Sequence, residues 1–169
     1  MIRLETERLR LRPIRSEDLP ALIDLWTDPE VTCYLGGARS IPVLREALAT
    51  DLVGSEDDRF NLWPVEEKAT DRVVGHCGLL AKDIDGVAEI ELVYVFSRSV
   101  WGRGYGVEMG RALRDHALGE MKLSRLIALI HPENTASERV AAALGMHEEA
   151  EIVRPEGAVR KLYAILRRI

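Results

Sequence analysis

One stretch decides the fold: Glu89-Ile-Glu-Leu-Val-Tyr-Val-Phe-Ser-Arg-Ser-Val-Trp-Gly-Arg-Gly-Tyr-Gly106, followed by the segment 107–117. Its first part ends in the apolar run Leu92–Phe96, whose β-branched and aromatic residues are typical of a buried strand. Three glycines at alternate positions follow. After them, small and apolar residues recur at helical spacing: Val107, Gly110, Leu113 and Ala117. The stretch predicts a strand, a glycine loop and a helix, in that order.

The glycine loop is suited to bind a phosphate. The first turn of a helix has unpaired N–H groups and the positive end of the helix dipole. Glycines allow several of these N–H groups to face one anion, and Arg98 and Arg103 add positive charge nearby. Taken alone, the loop is equally compatible with a turn that binds nothing.

Two common phosphate loops do not match. A nucleoside-triphosphate loop needs Lys-Ser/Thr after its last glycine, whereas Val107-Glu108 stands here. A dinucleotide fingerprint lies on the first strand of its fold, with the spacing Gly-x-Gly-x-x-Gly. Here the glycines come late in the chain and at another spacing.

The stretch resembles the coenzyme A loop of the GNAT superfamily of acyl-CoA N-acyltransferases. That family's signature, Gln/Arg-x-x-Gly-x-Gly/Ala, falls on Trp101–Gly106, with Trp101 at the first position. Trp-Gly-x-Gly-Tyr is similar to the branch that contains the ribosomal-protein N-terminal acetyltransferases. The block His131–Arg139, followed by Leu144-Gly145-Met146, resembles that branch's Pro-x-Asn-x-x-Ser and Leu-Gly-Phe motifs, and the opening Leu4–Arg12 also matches. The resemblance covers essentially the whole chain.

Length and composition are those of one globular domain over residues 1–169. The chain is 47% hydrophobic and 30% charged, with a net charge of −5. The negative charge argues against nucleic-acid binding, and no apolar run is long enough to span a membrane. The two cysteines, Cys33 and Cys77, have neither disulfide-framework nor zinc spacing. We therefore expect a cytoplasmic location.

Local patterns predict further elements along the chain. Strands are expected at 8–14, 60–65, 72–80, 126–130, 147–153 and 161–166. Helices are expected from Ser16 or Asp18 to Asp28 and over 42–52. The segment 30–41 is predicted to be a loop, and turns are predicted at Gly54–Arg59 and Lys82–Gly86. Thr135 and Glu138 have capping-box spacing at the start of a last helix, which Gly145 ends.

The residues alone indicate an α/β or α+β protein. The resemblance implies the GNAT fold, a mixed and mostly antiparallel sheet of about six or seven strands flanked by helices. Its element order is β-α-α-β-β-β-α-β-α-β-β.

The resemblance also implies how acetyl-CoA would be held. Five loop residues would offer backbone N–H groups to the pyrophosphate: Arg103, Gly104, Tyr105, Gly106 and Val107. Val95 and Phe96, at the strand end, would pair with the pantetheine arm, and a backbone N–H there would polarise the acetyl carbonyl. Asn134 matches the family asparagine that binds this arm, and the alternative is a role only as a turn or helix-start residue.

Three residues are candidates for proton transfer. Glu89 and Glu91 lie on one face of the central strand, and Glu91 corresponds to the branch's acid, so it is the first choice as general base. Burial would raise its pKa toward neutrality. Many relatives have a tyrosine acid where Ala141 stands here, and the branch instead uses a serine, which is Ser137. Both acids are equally compatible with a solvent-facing position at the start of the strand, and Ser137 with a purely structural position in the first turn of the helix.

The acceptor pocket is predicted from the segment before the loop. In the branch, the first two helices wall this pocket, which makes Trp26 and Tyr34 candidate contacts; both could equally be core aromatics. His76, in the middle of a strand, is compatible both with a place in the same pocket and with simple packing in the core. The four histidines show no ligand-like spacing with one another, so no metal site is predicted.

The sequence thus predicts an acetyl-CoA-dependent N-acetyltransferase that uses a primary amine, either a protein N-terminus or a small molecule, by direct transfer. A covalent acetyl-enzyme is not expected, because neither cysteine holds a recognised catalytic position. Two rivals remain: a CoA-binding sensor or partner protein that has lost catalysis, and an interaction protein whose loop binds nothing. Relatives are often homodimers, which nothing in this sequence decides.

Overall fold

A computed structural model describes residues 3–54 and 59–167, which form a sheet of eight strands with helices on both faces. The strands are β1 (Leu4–Glu5), β2 (Leu9–Leu11), β3 (Leu62–Glu67), β4 (Arg72–Ile84), β5 (Val87–Phe96), β6 (Arg125–Ile130), β7 (His147–Val153) and β8 (Val159–Leu166). The helices are α1 (Leu19–Thr27), α2 (Pro29–Thr32), α3 (Ile41–Val53), α4 (Tyr105–Asp115) and α5 (Thr135–Ala143).

The sheet is mixed and mostly antiparallel, as predicted. Its strand order is β1-β2-β3-β4-β5-β6-β8-β7, and β5–β6 is the parallel pair among these neighbours. A parallel pair needs a long crossover, which α4 provides. The count of eight strands corrects the predicted six or seven. The extra strand, β1, is only two residues long, too short to show a period in the sequence.

The two faces of the sheet carry different helices. On one face, Val95 packs with Leu25, Trp26 and Leu44 from α1 and α3. On the other face, α4 and α5 join the main core through fully buried side chains such as Met109, Leu113 and Leu144. Alternate residues of β5 therefore point to different helical layers.

Several predicted boundaries are wrong in detail. The predicted loop at 30–41 contains α2, whose start is capped by Asp28 Oδ1, which accepts a hydrogen bond from the Glu30 N–H (2.9 Å). Strand β4 continues to Ile84, through the start of the predicted turn, because the reversal occurs at Asp85 and Gly86, both with positive φ. Part of the predicted acidic turn Gly54–Arg59 lies outside the described residues.

The start of α5 also differs from the prediction. Its N-cap is Asn134, not Thr135, and Asn134 Oδ1 accepts the Ser137 N–H at 3.1 Å. Asparagine is at least as good a cap as threonine. The Thr-x-x-Glu spacing alone therefore did not identify the first residue of the helix.

Candidate active site

The centre of the sheet opens into a cleft where β5 and β6 separate. The parallel register pairs Glu91 with Ile127, yet β5 continues to Phe96 and β6 to Ile130. Beyond the paired position, the edge of β5 that faces β6 is therefore free of a strand partner within the described residues. Of the two residues predicted to pair with an extended arm, only Phe96 has its main-chain groups at this edge. Those of Val95 point to β4, because hydrogen-bonded pairs alternate along two antiparallel strands and the Ser97 N–H donates to the Val74 carbonyl (2.9 Å).

The glycine loop closes one end of this cleft. Gly104 is the N-cap of α4 and has a φ of +80°, a conformation that glycine adopts readily. The first intrahelical bond runs from the Glu108 N–H to the Gly104 carbonyl (3.0 Å). The N–H groups of Tyr105, Gly106 and Val107 precede it, so α4 begins with the unpaired amides that an anion needs.

Two other loop residues position the loop and α4 against the neighbouring elements. The Trp101 indole N–H donates to the Phe96 carbonyl at 2.8 Å, which fixes the loop to the end of β5. A Cβ atom on Gly106 would lie 3.4 Å from Val140 Cγ2, so this glycine allows α4 and α5 to approach closely. Trp101, which replaces the family's polar residue, thus takes over a positioning contact.

Acidic side chains hold the cationic residues around the loop. Arg103 Nη1 lies 3.1 Å from Glu67 Oε1, and the buried Tyr105 hydroxyl donates to the same oxygen at 2.6 Å. These contacts, the Tyr105 hydrogen bond first, lower the pKa of Glu67. Arg98 is paired with Asp28 (2.8 Å) and Glu30 (2.7 Å) at the start of α2. Arg98 therefore connects the loop to α2, whereas Arg103 directly precedes Gly104 in the chain.

Arg8 is a loop neighbour that the sequence did not single out. Its guanidinium carbon lies 4.6 Å from the Tyr105 ring centroid, and its Nη2 is 3.7 Å from where a Gly104 Cβ would be. Glu108, in the first turn of α4, holds it at 2.6 Å. Residues 100 positions apart in sequence make this contact, so no local pattern could have revealed it.

Asn134 and Ser137 lie together at the start of α5. The Asn134 carbonyl oxygen caps the helix, which leaves its amide nitrogen without a partner within the described chain. The Ser137 carbonyl accepts the Tyr94 hydroxyl at 3.1 Å, whereas the Ser137 hydroxyl has no partner there. Burial raises the pKa of Tyr94. Both predicted groups are thus free to contact a ligand, next to β5 on its α4–α5 face.

A cavity of about 540 Å³ lies on the opposite face, between the sheet and the helices α1 and α3. The three predicted acceptor contacts, Trp26, Tyr34 and His76, all line it, and so does Glu91. The Tyr34 ring also stacks on His131, with centroids 5.0 Å apart, which links this cavity to the segment before α5. The volume is that of a small-molecule site.

His76 is buried and held in one orientation. The Trp26 indole N–H donates to His76 Nδ1 at 3.0 Å, so a neutral ring carries its proton on Nε2. This Nε2 is buried and has no hydrogen-bond partner within residues 3–54 and 59–167. Burial lowers the pKa of His76 to about 4, and the charge of Asp18 opposes this only in part. His76 is therefore a neutral donor at pH 7.

Glu91 is the carboxylate that faces this cavity. Its side chain is only 13% exposed and lies 3.5 Å from Lys82 Nζ. Burial raises its pKa above the ordinary 4.5, while Lys82, the Leu129 backbone and Arg154 act in the opposite direction. Glu91 is thus a largely buried carboxylate with a raised pKa, and nearby cations offset the effect of burial only in part. These are the properties that a general base needs.

Glu89 is placed differently, although it shares the strand face of Glu91. Its carboxylate accepts a hydrogen bond from Arg125 Nε at 2.9 Å, and Arg125 also pairs with Glu149 at 2.7 Å. Glu89 is not among the residues that line the cavity. Its ion pair joins β5 to β6 and β7, which is a structural contact.

The remaining reactive groups are outside the site. Cys33 is exposed and does not line the cavity, and burial raises the pKa of the Cys77 thiol to about 12. The described residues include no group of three His, Cys, Asp or Glu side chains that could hold a metal ion. Nor is any helix among them long and apolar enough to cross a membrane.

The sequence missed the cationic residues of the cavity: Lys82, Arg39, Arg154 and Arg160. Arg154 and Arg160 flank the turn between β7 and β8, about sixty residues after Glu91 in the chain. Only the sheet order, which places β8 next to β6, brings them to the cavity. Local sequence patterns carry no information of this kind.

Comparison with known proteins agrees with this geometry. A family model described as an acetyltransferase (GNAT) domain matches residues 8–147. The uncharacterised protein YkkB of Bacillus subtilis is 35% identical over 146 residues, which cover 86% of this chain and 85% of that protein. The uncharacterised N-acetyltransferase p20 of Bacillus licheniformis is 32% identical over 151 residues, covering 86% and 83%.

Solved structures give the same picture. An acetyltransferase (GNAT family) from Bacillus anthracis superposes with a TM-score of 0.83 at 27% identity and covers 98% of this chain and 99% of its own. The ribosomal-protein-S5-alanine acetyltransferase of Vibrio fischeri gives a TM-score of 0.78 at 19% identity, covering 99% and 97%. Spermidine N-acetyltransferase of Vibrio cholerae, solved with CoA and spermine, gives 0.74 at 18% identity, covering 95% and 96%. These last two show the fold alone.

Proposed function

The chain belongs to the GNAT acetyltransferase family and is an N-acetyltransferase, and from this premise we propose that it transfers an acetyl group from acetyl-CoA directly to a primary amine. The observation that supports this best is the placement of a buried carboxylate, Glu91, in a cavity on one face of the β5–β6 cleft, with the glycine loop at the end of β5.

The residues around the cleft fit acetyl-CoA. The unpaired main-chain amides of residues 105–107 would bind the pyrophosphate, and the Arg103 side chain would add positive charge next to it. Arg98 would stabilise the loop through its ion pairs with Asp28 and Glu30. The Phe96 N–H, at the free edge of β5, would hydrogen-bond the pantetheine arm, and the free Asn134 amide nitrogen would bind it from the other side. Acetyl-CoA supplies the activated acetyl group when bound.

The chain's own residues would manage the protons. Glu91 would accept a proton from the ammonium group of the acceptor, directly or through water, and the free amine would then attack. A largely buried carboxylate near one lysine can take this proton and return it to solvent. The unpaired Ser137 hydroxyl would donate a hydrogen bond to the departing sulfur. A thiol has an ordinary pKa near 8.5, so a hydrogen bond there is sufficient. Glu89, which is held by Arg125, would support the fold of this region.

Acceptor binding and assistance to the departing thiolate would thus take place on opposite faces of the sheet. Trp26, Tyr34 and His76 would bind the acceptor on the α1–α3 face, and Ser137 would act on the α4–α5 face. The cleft between β5 and β6 is the path that joins them. The sequence motifs suggest the ribosomal-protein N-terminal branch, and the fold of the Vibrio fischeri structure is compatible with it. A cytoplasmic location and a homodimer stay predictions from the sequence.

Release of CoA on mixing acetyl-CoA with a panel of primary amines tests the proposal. The panel contains peptide N-termini, amino acids, polyamines and simple alkylamines. We expect amine-dependent CoA release that the variant Glu91→Gln slows strongly. Tight acetyl-CoA binding without turnover on any amine would contradict it and favour a CoA-binding sensor. No binding of acetyl-CoA would favour an interaction protein.

A further inference from the structure

The acceptor cavity carries an excess of positive charge. Among the described residues, its charged groups are four cations, Arg39, Lys82, Arg154 and Arg160, and three acids, Asp51, Glu91 and Glu156. Glu91 is already paired with Lys82. Asp51 accepts a hydrogen bond from the Asn61 amide (2.9 Å), and Glu156 is exposed in the turn between β7 and β8. None of the three acids forms an ion pair with one of the arginines.

The three arginines are held by other contacts. Arg154 Nη1 donates to the Asp83 carbonyl (3.0 Å), and Arg160 Nη1 donates to the Val159 carbonyl (2.7 Å). The Arg39 guanidinium lies over the Trp26 ring, 4.9 Å from its centroid. No carboxylate of the described residues lies within ion-pair distance of any of them. By contrast, Arg8, Arg98 and Arg103 around the glycine loop are all paired with acids.

Arg154 and Arg160 have donors left for a ligand. Both residues are half-buried, and each guanidinium donates to a main-chain carbonyl rather than to a carboxylate. A carboxylate ligand fits these donors, because its two oxygens match the planar donor fork of arginine. The Arg154 main chain is fixed by a hydrogen bond to the Ala158 carbonyl (2.9 Å), so the turn presents it in a defined position.

The rest of the cavity suits an aliphatic body. Leu80, Val93 and Leu129 form its apolar wall beside Glu91. A second ammonium group, in contrast, would face more cations than acids among the described residues of the cavity.

We propose that the acceptor is a small primary amine that also carries a carboxylate, which Arg154 and Arg160 bind while an aliphatic spacer lies along the Leu80–Leu129 wall. This inference rests on the proposed acetyl transfer and specifies its substrate class. The amine end would lie toward Glu91. The preference for a carboxylate distinguishes this enzyme from one that acts on a polyamine, whose cavity would need an excess of acids.

The test uses ω-amino carboxylates with spacers of increasing length, each compared with the amino alcohol and the diamine of equal length. We expect kcat/KM for the carboxylate to exceed that of the alcohol by about 10-fold to 100-fold at the best length, as one charge-assisted contact provides. The diamine should be the poorest of each set. Equal use of the carboxylate and the alcohol at every length, or preference for the diamine, would overturn the proposal.

Variants assign the preference to the arginines. Arg154→Gln and Arg160→Gln should each raise the ratio of KM for the carboxylate to KM for the alcohol about 10-fold. The matched control is Arg45→Gln, on the exposed side of α3 and outside the cavity, which should change neither. An equal loss on both amines would indicate a structural role and contradict the proposal.

Binding separates this inference from the proposed function. Stabilisation of the protein by each amine against heat, in the presence of CoA, reports binding without turnover. Selective stabilisation by carboxylates without acetylation would support the inference and refute the proposed function. Acetylation of peptide N-termini alone, with every small amine inert and unbound, would refute the inference and leave acetyl transfer intact.

Discussion

At the scale of single residues, burial sets the chemistry of Glu91. It is enclosed by strands and close to one lysine, and its pKa lies above the ordinary 4.5. Because only the deprotonated form can accept a proton, kcat/KM should fall as the pH decreases through this raised pKa, at a higher pH than for an exposed carboxylate. Glu91→Gln should lower kcat by about 10²-fold or more and abolish this acid limb.

Two further variants control this prediction. Glu89→Gln alters the candidate that is bound to Arg125, and the acid limb should persist in it. Glu120→Gln alters a surface partner of His116 and should leave the whole profile unchanged. Rate profiles between pH 4 and pH 9 decide the matter. Loss of the limb in Glu89→Gln, with Glu91→Gln unaffected, would assign the base to Glu89.

His76 makes stability depend on pH in a defined direction. Its pKa in the folded protein is about 4, below the ordinary 6.5, so the unfolded chain takes up a proton first as the pH falls. The contribution is fully present above pH 6.5 and is lost as the pH falls toward 4. The free energy of unfolding should drop by about 2 kcal/mol between pH 6.5 and pH 5 from this residue alone.

Urea unfolding of His76→Gln measures this effect. Glutamine can still accept the Trp26 N–H but does not titrate, so the drop between pH 6.5 and pH 5 should shrink by about the same 2 kcal/mol. His116→Gln, on the surface of the turn after α4, should retain the full drop. Identical pH dependence in the wild type and His76→Gln would contradict the assignment.

At the scale of elements, the start of α4 should be the part most sensitive to backbone change. Gly104→Ala places a side chain at φ +80°, which costs about 1–2 kcal/mol and tilts the first-turn amides away from the anion. We expect acetyl-CoA to raise the melting temperature of this variant less than that of the wild type. Gly119→Ala, at a position with open space and no positive φ, should respond fully. An undiminished response of Gly104→Ala would remove the loop from the binding site.

The elements also show how far the sequence could predict this protein. The loop, α4, β6 and β7 follow from local patterns, because glycine spacing and apolar periodicity act over a few residues. Strand β1 and helix α2 were missed because two and four residues carry no period. The cavity cations were missed because Arg154 reaches Glu91 only through sheet order. The predicted acceptor residues line one cavity. Their roles, however, depend on contacts that the sequence does not show, such as the hydrogen bond from the Trp26 indole to His76.

At the scale of the whole molecule, the separation of β5 and β6 would allow both proposed substrates to be bound at once. The candidate base and acid lie on opposite faces of the sheet, and the cleft between β5 and β6 connects them. An enzyme built this way has no need to store the acetyl group on a side chain. The two cysteines are also badly placed for that role, since one is buried with a raised pKa and the other lies outside the cavity.

Direct transfer therefore predicts a kinetic pattern. Initial rates measured at several concentrations of both substrates should give intersecting double-reciprocal lines, because both must bind before any product leaves. Parallel lines, which indicate a ping-pong mechanism, would contradict direct transfer, and so would a burst of CoA release without amine. The variant Cys33→Ser/Cys77→Ala should keep the wild-type kcat, provided that its melting curve shows that it is folded. If this variant lost activity while folded and still bound acetyl-CoA, a cysteine would carry the acetyl group, and the two faces of the sheet would act in turn rather than together.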